Sequence, residues 1–301
     1  MKNKILAITF VLLAVCAIAG CGKDAQKSES NIEKRDGATA DGNSSGTGQS
    51  ADDMLHFVDA HGQWYDVKID HLVSKNEIEW KYLENDGQIL NYEGNPSYTI
   101  KKGVDVSKYQ GDIDWKLVKE DGYEFAIIRI GFRGYGESGK IVEDERFREY
   151  IKEAHAAGLD VGVYFFSQAV NEQEAVEEAD FVLDMLDGQS LELPITYDPE
   201  LIKDDEARTD NVSGEQFTAN TIAFCERIRQ AGYQPMVYSN MYWEAFLFDM
   251  TKIEDYPIWY ADYELIPQTP YKFEYWQYTE KGSVNGITGG CDIDVHFIEN
   301  K

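Results

Sequence analysis

From Gly103 to Phe248 one pattern repeats: a short apolar run, a turn, then a helix signal with a single apolar stripe. Gly103-Val-Asp-Val leads into Asp114-Trp-Lys-Leu-Val-Lys, with Asp114 or Asp112 placed to cap the helix. Phe125-Ala-Ile-Ile-Arg-Ile leads into a helix from Asp144, which sets Phe147, Ile151 and Ala154 on one stripe and stops at Gly158. Val161-Gly-Val-Tyr-Phe-Phe precedes a long helix from about Glu172 to Gly188. Pro194-Ile-Thr-Tyr-Asp-Pro-Glu200 precedes one from Ser213 to Gly232, and Pro235-Met-Val-Tyr-Ser-Asn a short one near Tyr242 to Phe248. Strands apolar on both faces, each followed by an amphipathic helix, bury themselves as a parallel sheet covered by helices.

After Phe248 the rhythm changes. Ile258-Trp-Tyr-Ala-Asp-Tyr, Phe273-Glu-Tyr-Trp-Gln-Tyr and Cys291-Asp-Ile-Asp-Val-His-Phe read as three strands with no helix between them. The Gly-rich loop from Thr279 to Gly290 is too short for a helical crossover, so the last strand is expected to run antiparallel. The fold class is therefore α/β, a modified TIM-like barrel of eight strands and about five helices. Barrel sites lie at the C-terminal ends of the parallel strands. Asp198 and Glu200 end one such strand and Asp105 another, while Asp292 begins the last strand and reaches the same rim only if that strand is reversed. Residues two apart on a strand leave the same face, about 6.5–7 Å apart. Paired carboxyl groups on one wall are what glycoside hydrolysis needs: one protonates the leaving oxygen, the other answers the positive charge that develops on the sugar.

The formal charge of -27 argues against nucleic-acid binding, which depends on basic surface, and against electrostatic docking on an anionic bilayer. A neutral glycan is the more natural partner. Lys2 and Lys4 precede an apolar run from Ile5 to Gly20, too short for a membrane span, so residues 1–20 read as a signal peptide. Residues 21–52 are Ser, Gly, Asp, Asn, Lys and Glu with almost no large apolar side chain, a flexible linker. Residues 53–100 hold short strand patterns at His56-Phe-Val, Trp64 to Ile69, Glu79-Trp-Lys-Tyr and Ile89-Leu-Asn-Tyr, a small β-rich accessory segment expected to pack on the main domain. Cys225 and Cys291 are expected as buried apolar residues. The histidines are scattered and no phosphate-binding Gly loop is present, so neither a metal nor a cofactor is expected.

Several motifs now stand together. Gly103-Val-Asp-Val-Ser-Lys-Tyr-Gln-Gly111, Val163-Tyr-Phe-Phe, Tyr197-Asp-Pro-Glu200, Trp259-Tyr-Ala-Asp-Tyr263, Trp276-Gln277 and Gly286-Ile…Cys291-Asp-Ile-Asp resemble, in order, glycoside hydrolase family 25, the Chalaropsis-type muramidases. The resemblance covers residues 101–301, and Ile18-Ala-Gly-Cys21 resembles a bacterial lipobox, with Cys21 as the lipidated residue. The chain is thus expected as a lipoprotein on the outer face of the cell membrane. The resemblance implies cleavage of the β-1,4 bond between N-acetylmuramic acid and N-acetylglucosamine in peptidoglycan glycan strands. It implies Glu200 as general acid, Asp198 as the carboxylate assisting at the anomeric carbon, and Asp105 and Asp292 as acids that shape the site.

The route is left open among substrate assistance by the acetamido oxygen, direct inversion by water and a covalent Asp198 adduct. Pro199 and Asp294 depart from the family pattern, where an apolar or aromatic residue and an Asn are more frequent. Tyr164, Tyr238, Tyr263 and Trp276 are candidate sugar-binding aromatics, whereas Arg129 and Arg133 are expected in structural ion pairs. The competing reading is a barrel that binds peptidoglycan without cutting it; retention of all four acids speaks against it.

Overall fold

The computed structural model describes residues 54–300; the segment 1–20, Cys21 and the linker lie outside the described residues. The chain opens with two antiparallel hairpins, β1 (Met54–Val58) with β2 (Trp64–Lys68) and β3 (Leu83–Asn85) with β4 (Leu90–Tyr92). The expected strand at Glu79–Tyr82 is instead a 3₁₀ turn over Trp80–Tyr82, with the strand starting at Leu83. Next come β5 (Tyr98–Val106), α1 (Trp115–Glu120), β6 (Phe125–Arg133), β7 (Ile141–Glu143), α2 (Phe147–Ala157) and β8 (Asp160–Ser167). They are followed by α3 (Glu172–Leu186), β9 (Ile195–Pro199), α4 (Gly214–Gln230), β10 (Pro235–Asn240), α5 (Met241–Phe246) and α6 (Met250–Ile253). Three strands end the chain: β11 (Ile258–Ala261), β12 (Tyr275–Gly282) and β13 (Cys291–Glu299).

Helix starts follow local capping chemistry. Asp114, Asn171 and Ser213 each accept a backbone N–H from the first turn of α1, α3 and α4, satisfying donors that a helix leaves open. Helix α2 ends at Gly158 with φ 81°, a left-handed position that costs a Cβ-free residue nothing. The sixth helix, α6, is a single turn, too short to leave an amphipathic signature.

Eight strands close in the order β5-β13-β12-β11-β10-β9-β8-β6, with β6 returning to β5 and β7 attached outside as a hairpin on β6. Strand β13 is antiparallel to both neighbours, and the other seven are mutually parallel. This is the expected barrel with its last strand reversed. Strand alternation divides the core in two. Phe125, Ile127, Met236, Tyr238, Trp259, Ala261 and Tyr275 fill the lumen, whereas Val104, Ala126, Ile128, Val163, Ile195 and Val237 face the outer layer. Gly103 lets Phe125 occupy the lumen, since a Cβ there would lie 2.1 Å from its ring.

Helices cover the outside except over β11, β12 and β13, where the chain crosses from β11 to β12 through a loop. The accessory segment takes the helices' place. Trp80 stacks on Phe273 at 6.3 Å and meets Trp276 and Phe297 edge-on, and Tyr92 meets Phe297 at 5.4 Å. Backbone bonds tie it to the β11–β12 loop: Asn76 N–H donates to Pro270 O and Lys272 N–H to Ser74 O, both at 3.0 Å. An apolar sheet face must be covered by some layer, and residues 54–97 supply that layer here.

Candidate active site

Side-chain parity sets what reaches the rim. On β5 and β13 the pairing places Asp292 directly opposite Asp105 and Asp294 opposite Gly103. Asp198 lies at the end of β9 opposite Phe166 of β8, and Glu200 follows one residue beyond the strand. Reversal of β13 therefore brings its first residues to the same rim as the last residues of β5 and β9, and the four acids expected there do converge.

The surroundings of each acid differ. Asp105 is 4% exposed and accepts a 2.8 Å hydrogen bond from Gln277 Nε2; Gln277 Oε1 in turn accepts from the Tyr263 hydroxyl at 2.8 Å. That chain fixes the amide orientation, so Gln277 can only donate to Asp105. Gln277 was legible as the one amide in an apolar strand, yet its motif alone gave it no role. Asp294 is fully buried beneath and accepts from Trp259 Nε1 at 2.8 Å. Asp198 is 4% exposed, and its Oδ1 has no hydrogen-bond partner among the described residues. Arg129 is held away by Asp144, donating from Nε at 2.8 Å, and acts on the acids as a nearby positive charge. Arg133 is occupied structurally by buried Glu178 at 2.7 Å.

Burial, and then mutual repulsion, push every one of these carboxyls upward. Glu200 is raised to about 7, by desolvation and then by the charge of Asp292, against a lowering pull from Arg129. Asp292 is raised to about 6 by desolvation and Glu280. Asp105, Asp198 and Asp294 lie well above the ordinary range, desolvation first in each case. The group titrates as a unit, holding protons near neutrality that free carboxyls would have lost.

This has a consequence for stability. A raised folded-state value means the folded protein binds more protons than the unfolded chain above about pH 4, so stability falls as pH rises from there through the folded values. Asp294→Asn keeps an acceptor for Trp259 and removes one such group. It is expected to flatten the fall and to stabilise the protein by about 1–3 kcal/mol at pH 8, with little gain near pH 4. Thermal melting of both proteins across that range checks this.

The aromatics occupy three positions. Tyr164 and Tyr238 point into the lumen and meet Trp259 edge-on at 5.9 and 5.1 Å. Tyr263 is 37% exposed on the rim. Trp276 is a correction: it is 0% exposed, faces the outer layer against Trp80, and donates its indole N–H to Asp262 O at 2.7 Å. Alternation along β12 gives Gln277 the inward position and turns Trp276 away from any sugar. Cys225 and Cys291 are both buried and unpaired. Among the described residues no group of His, Cys, Asp and Glu is arranged to hold a metal ion.

The sequence that builds this barrel matches a known family. The family model for glycosyl hydrolases family 25 fits residues 104–287, more than half of the chain. The chain belongs to glycosyl hydrolases family 25. It is 28% identical over 196 residues to an autolytic lysozyme of Clostridium acetobutylicum, covering 64% of this chain and 55% of that protein. The chain therefore spans about half the length of that relative. A bacterial lysozyme structure from Streptomyces coelicolor superposes with a TM-score of 0.53 at 25% identity, over 64% of this chain and 90% of that one. The modular autolysin LytC of Streptococcus pneumoniae shares the fold, with a TM-score of 0.58 at 24% identity, over 82% of this chain and 57% of that one. The family 25 match begins at β5, so the accessory hairpins lie outside it.

Proposed function

We propose that this family 25 protein is a muramidase that hydrolyses the β-1,4 bond between N-acetylmuramic acid and N-acetylglucosamine in peptidoglycan. The single observation that carries the proposal is the carboxyl cluster: Glu200 raised to about 7 beside buried Asp198, in a cleft that opens at Glu200. A carboxyl that keeps its proton near neutrality can donate it to a glycosidic oxygen. The likeness to an autolytic lysozyme supports the choice of substrate.

Substrate assistance is the favoured route. Asp198 Oδ1 is a buried acceptor with no donor among the described residues, and such a group is costly to leave unpaired. An acetamido N–H from the bound sugar would satisfy it and favour the ionised form of Asp198. Because Asp198 and Glu200 repel when both are charged, an ionised Asp198 keeps the remaining proton on Glu200. Binding thereby arms the acid. Asp198 then orients the acetamido group, whose carbonyl oxygen attacks the anomeric carbon as Glu200 protonates the leaving oxygen. Water, deprotonated by Glu200, opens the resulting ring. Tyr164, Tyr238 and Tyr263 are proposed to line the sugar, and Asp105 and Asp292 to set the field around the pair. Lipidation at Cys21 after loss of residues 1–20, with residues 21–52 as tether, would hold the enzyme on the outer face of the membrane beside the wall.

The release of soluble reducing ends from purified peptidoglycan tests the activity, and its pH dependence tests the assignment. The rate is expected to fall as pH rises through about 7, where Glu200 loses its proton, and to fall again on acidification below about 6 as Asp292 protonates. A rate that climbs steadily to pH 9 would rule out Glu200 as the acid.

A further inference from the structure

The cavity that opens at Glu200, about 420 Å³ in volume, is walled in part by residues outside the family match. Glu200 and Tyr238 form its inner end and the loop carrying Tyr263 one side; facing them is the Val58–Gly62 turn between β1 and β2, with Lys203 beside it. The turn is fastened on several sides. Gln268 both donates to Val58 O and accepts from Val58 N–H, each at 2.9 Å. Asp59, its side chain 7% exposed, accepts the backbone N–H groups of His61 and Gln63 at 2.9 Å and lies 3.6 Å from Lys203 Nζ. Lys203 comes from the loop immediately after Glu200, so this ion pair ties the accessory turn to the segment that carries the acid.

Among the described residues Lys203 is the only lysine or arginine lining the cavity, in a chain of formal charge -27. Its side chain is 47% exposed, and its ammonium lies 5.7 Å from the ring centroid of Tyr242, another residue of the cavity wall. Aromatic faces, carboxylates and one amine around a volume of this size suit a substituted sugar better than an apolar ligand. We propose that the Val58–Gly62 turn and Lys203 form a further sugar subsite adjoining Glu200, which seats the next unit of a peptidoglycan strand and draws a carboxylate of its peptide stem to Lys203. The proposal rests on the muramidase reading and gives the accessory hairpin a role in substrate choice besides covering the barrel.

The test uses the whole chain, its Lys203→Ala, Lys203→Arg and Gln268→Ala variants, and two probes: glycan strands that keep their peptide stems, and the same strands stripped by an amidase. Lys203→Ala is expected to lower kcat/KM on stem-bearing strands about tenfold, mostly through KM, and to erase their advantage over stripped strands. Lys203→Arg should restore the advantage, and Gln268→Ala, which unfastens the turn, should weaken both substrates. Equal losses on both probes with Lys203→Ala, or no loss on either, would overturn the proposal; unchanged melting temperatures show that the variants fold. If the unaltered protein cuts neither probe, the muramidase reading fails by itself. Sedimentation binding of the two probes then decides the subsite: a stem-dependent loss with Lys203→Ala upholds it, and equal binding rejects it.

Discussion

Glu200→Gln is expected to lower peptidoglycan hydrolysis about a thousandfold while leaving the fold intact. Glutamine keeps the size of the side chain and its hydrogen-bonding reach but cannot surrender a proton to the departing oxygen. Because Glu200 is already pushed to about 7 by burial and by Asp292, replacing it removes a strained charge, so melting at neutral pH should hold or rise. Binding of intact strands should also survive, since the neutral amide resembles the protonated acid. Turnover and binding measured side by side separate a lost proton donor from a lost pocket.

Asp198→Asn is expected to cost about a hundredfold or more, for a different reason. The amide can still meet an acetamido group, but it carries no negative charge to stabilise the positive charge that builds during ring closure. A covalent sugar adduct trapped on Asp198 would contradict substrate assistance. Added azide that fails to restore Asp198→Asn would agree with a nucleophile supplied by the substrate itself.

The barrel was legible because its signals are local. Alternating apolar strands and capped helices announced five of the seven parallel strands, and the short loop before Cys291 announced the reversal that carries Asp292 to the rim. The acids were legible for the same reason, each closing or opening a strand. Trp276 was misread because the outer face of β12 is as apolar as its lumen, so a tryptophan beside a site motif gave no hint of direction. The informative residue was its neighbour Gln277, an amide with no reason to sit in an apolar run unless something buried required it. The accessory segment could be recognised as β-rich and expected to pack on the barrel. Where it packs could not be read, since Val58 and Gln268 meet across 210 residues of chain. Nothing in a window around either residue encodes that contact. The protonation of the site is likewise invisible in sequence, because it arises from five carboxyls brought together from three strands and one strand end.

The central claim is the bond cut, and the identity of the new reducing end tests it most directly. Purified peptidoglycan is digested with the enzyme, the products are reduced with borohydride, and the fragments are analysed by mass spectrometry. Reduced muramic acid at the new ends, absent when Glu200→Gln replaces the enzyme, is the expected result. Reduced glucosamine would mean that the other glycosidic bond is cleaved. No new ends at all, with the protein still sedimenting with the wall, would leave a family 25 barrel that binds peptidoglycan without cutting it.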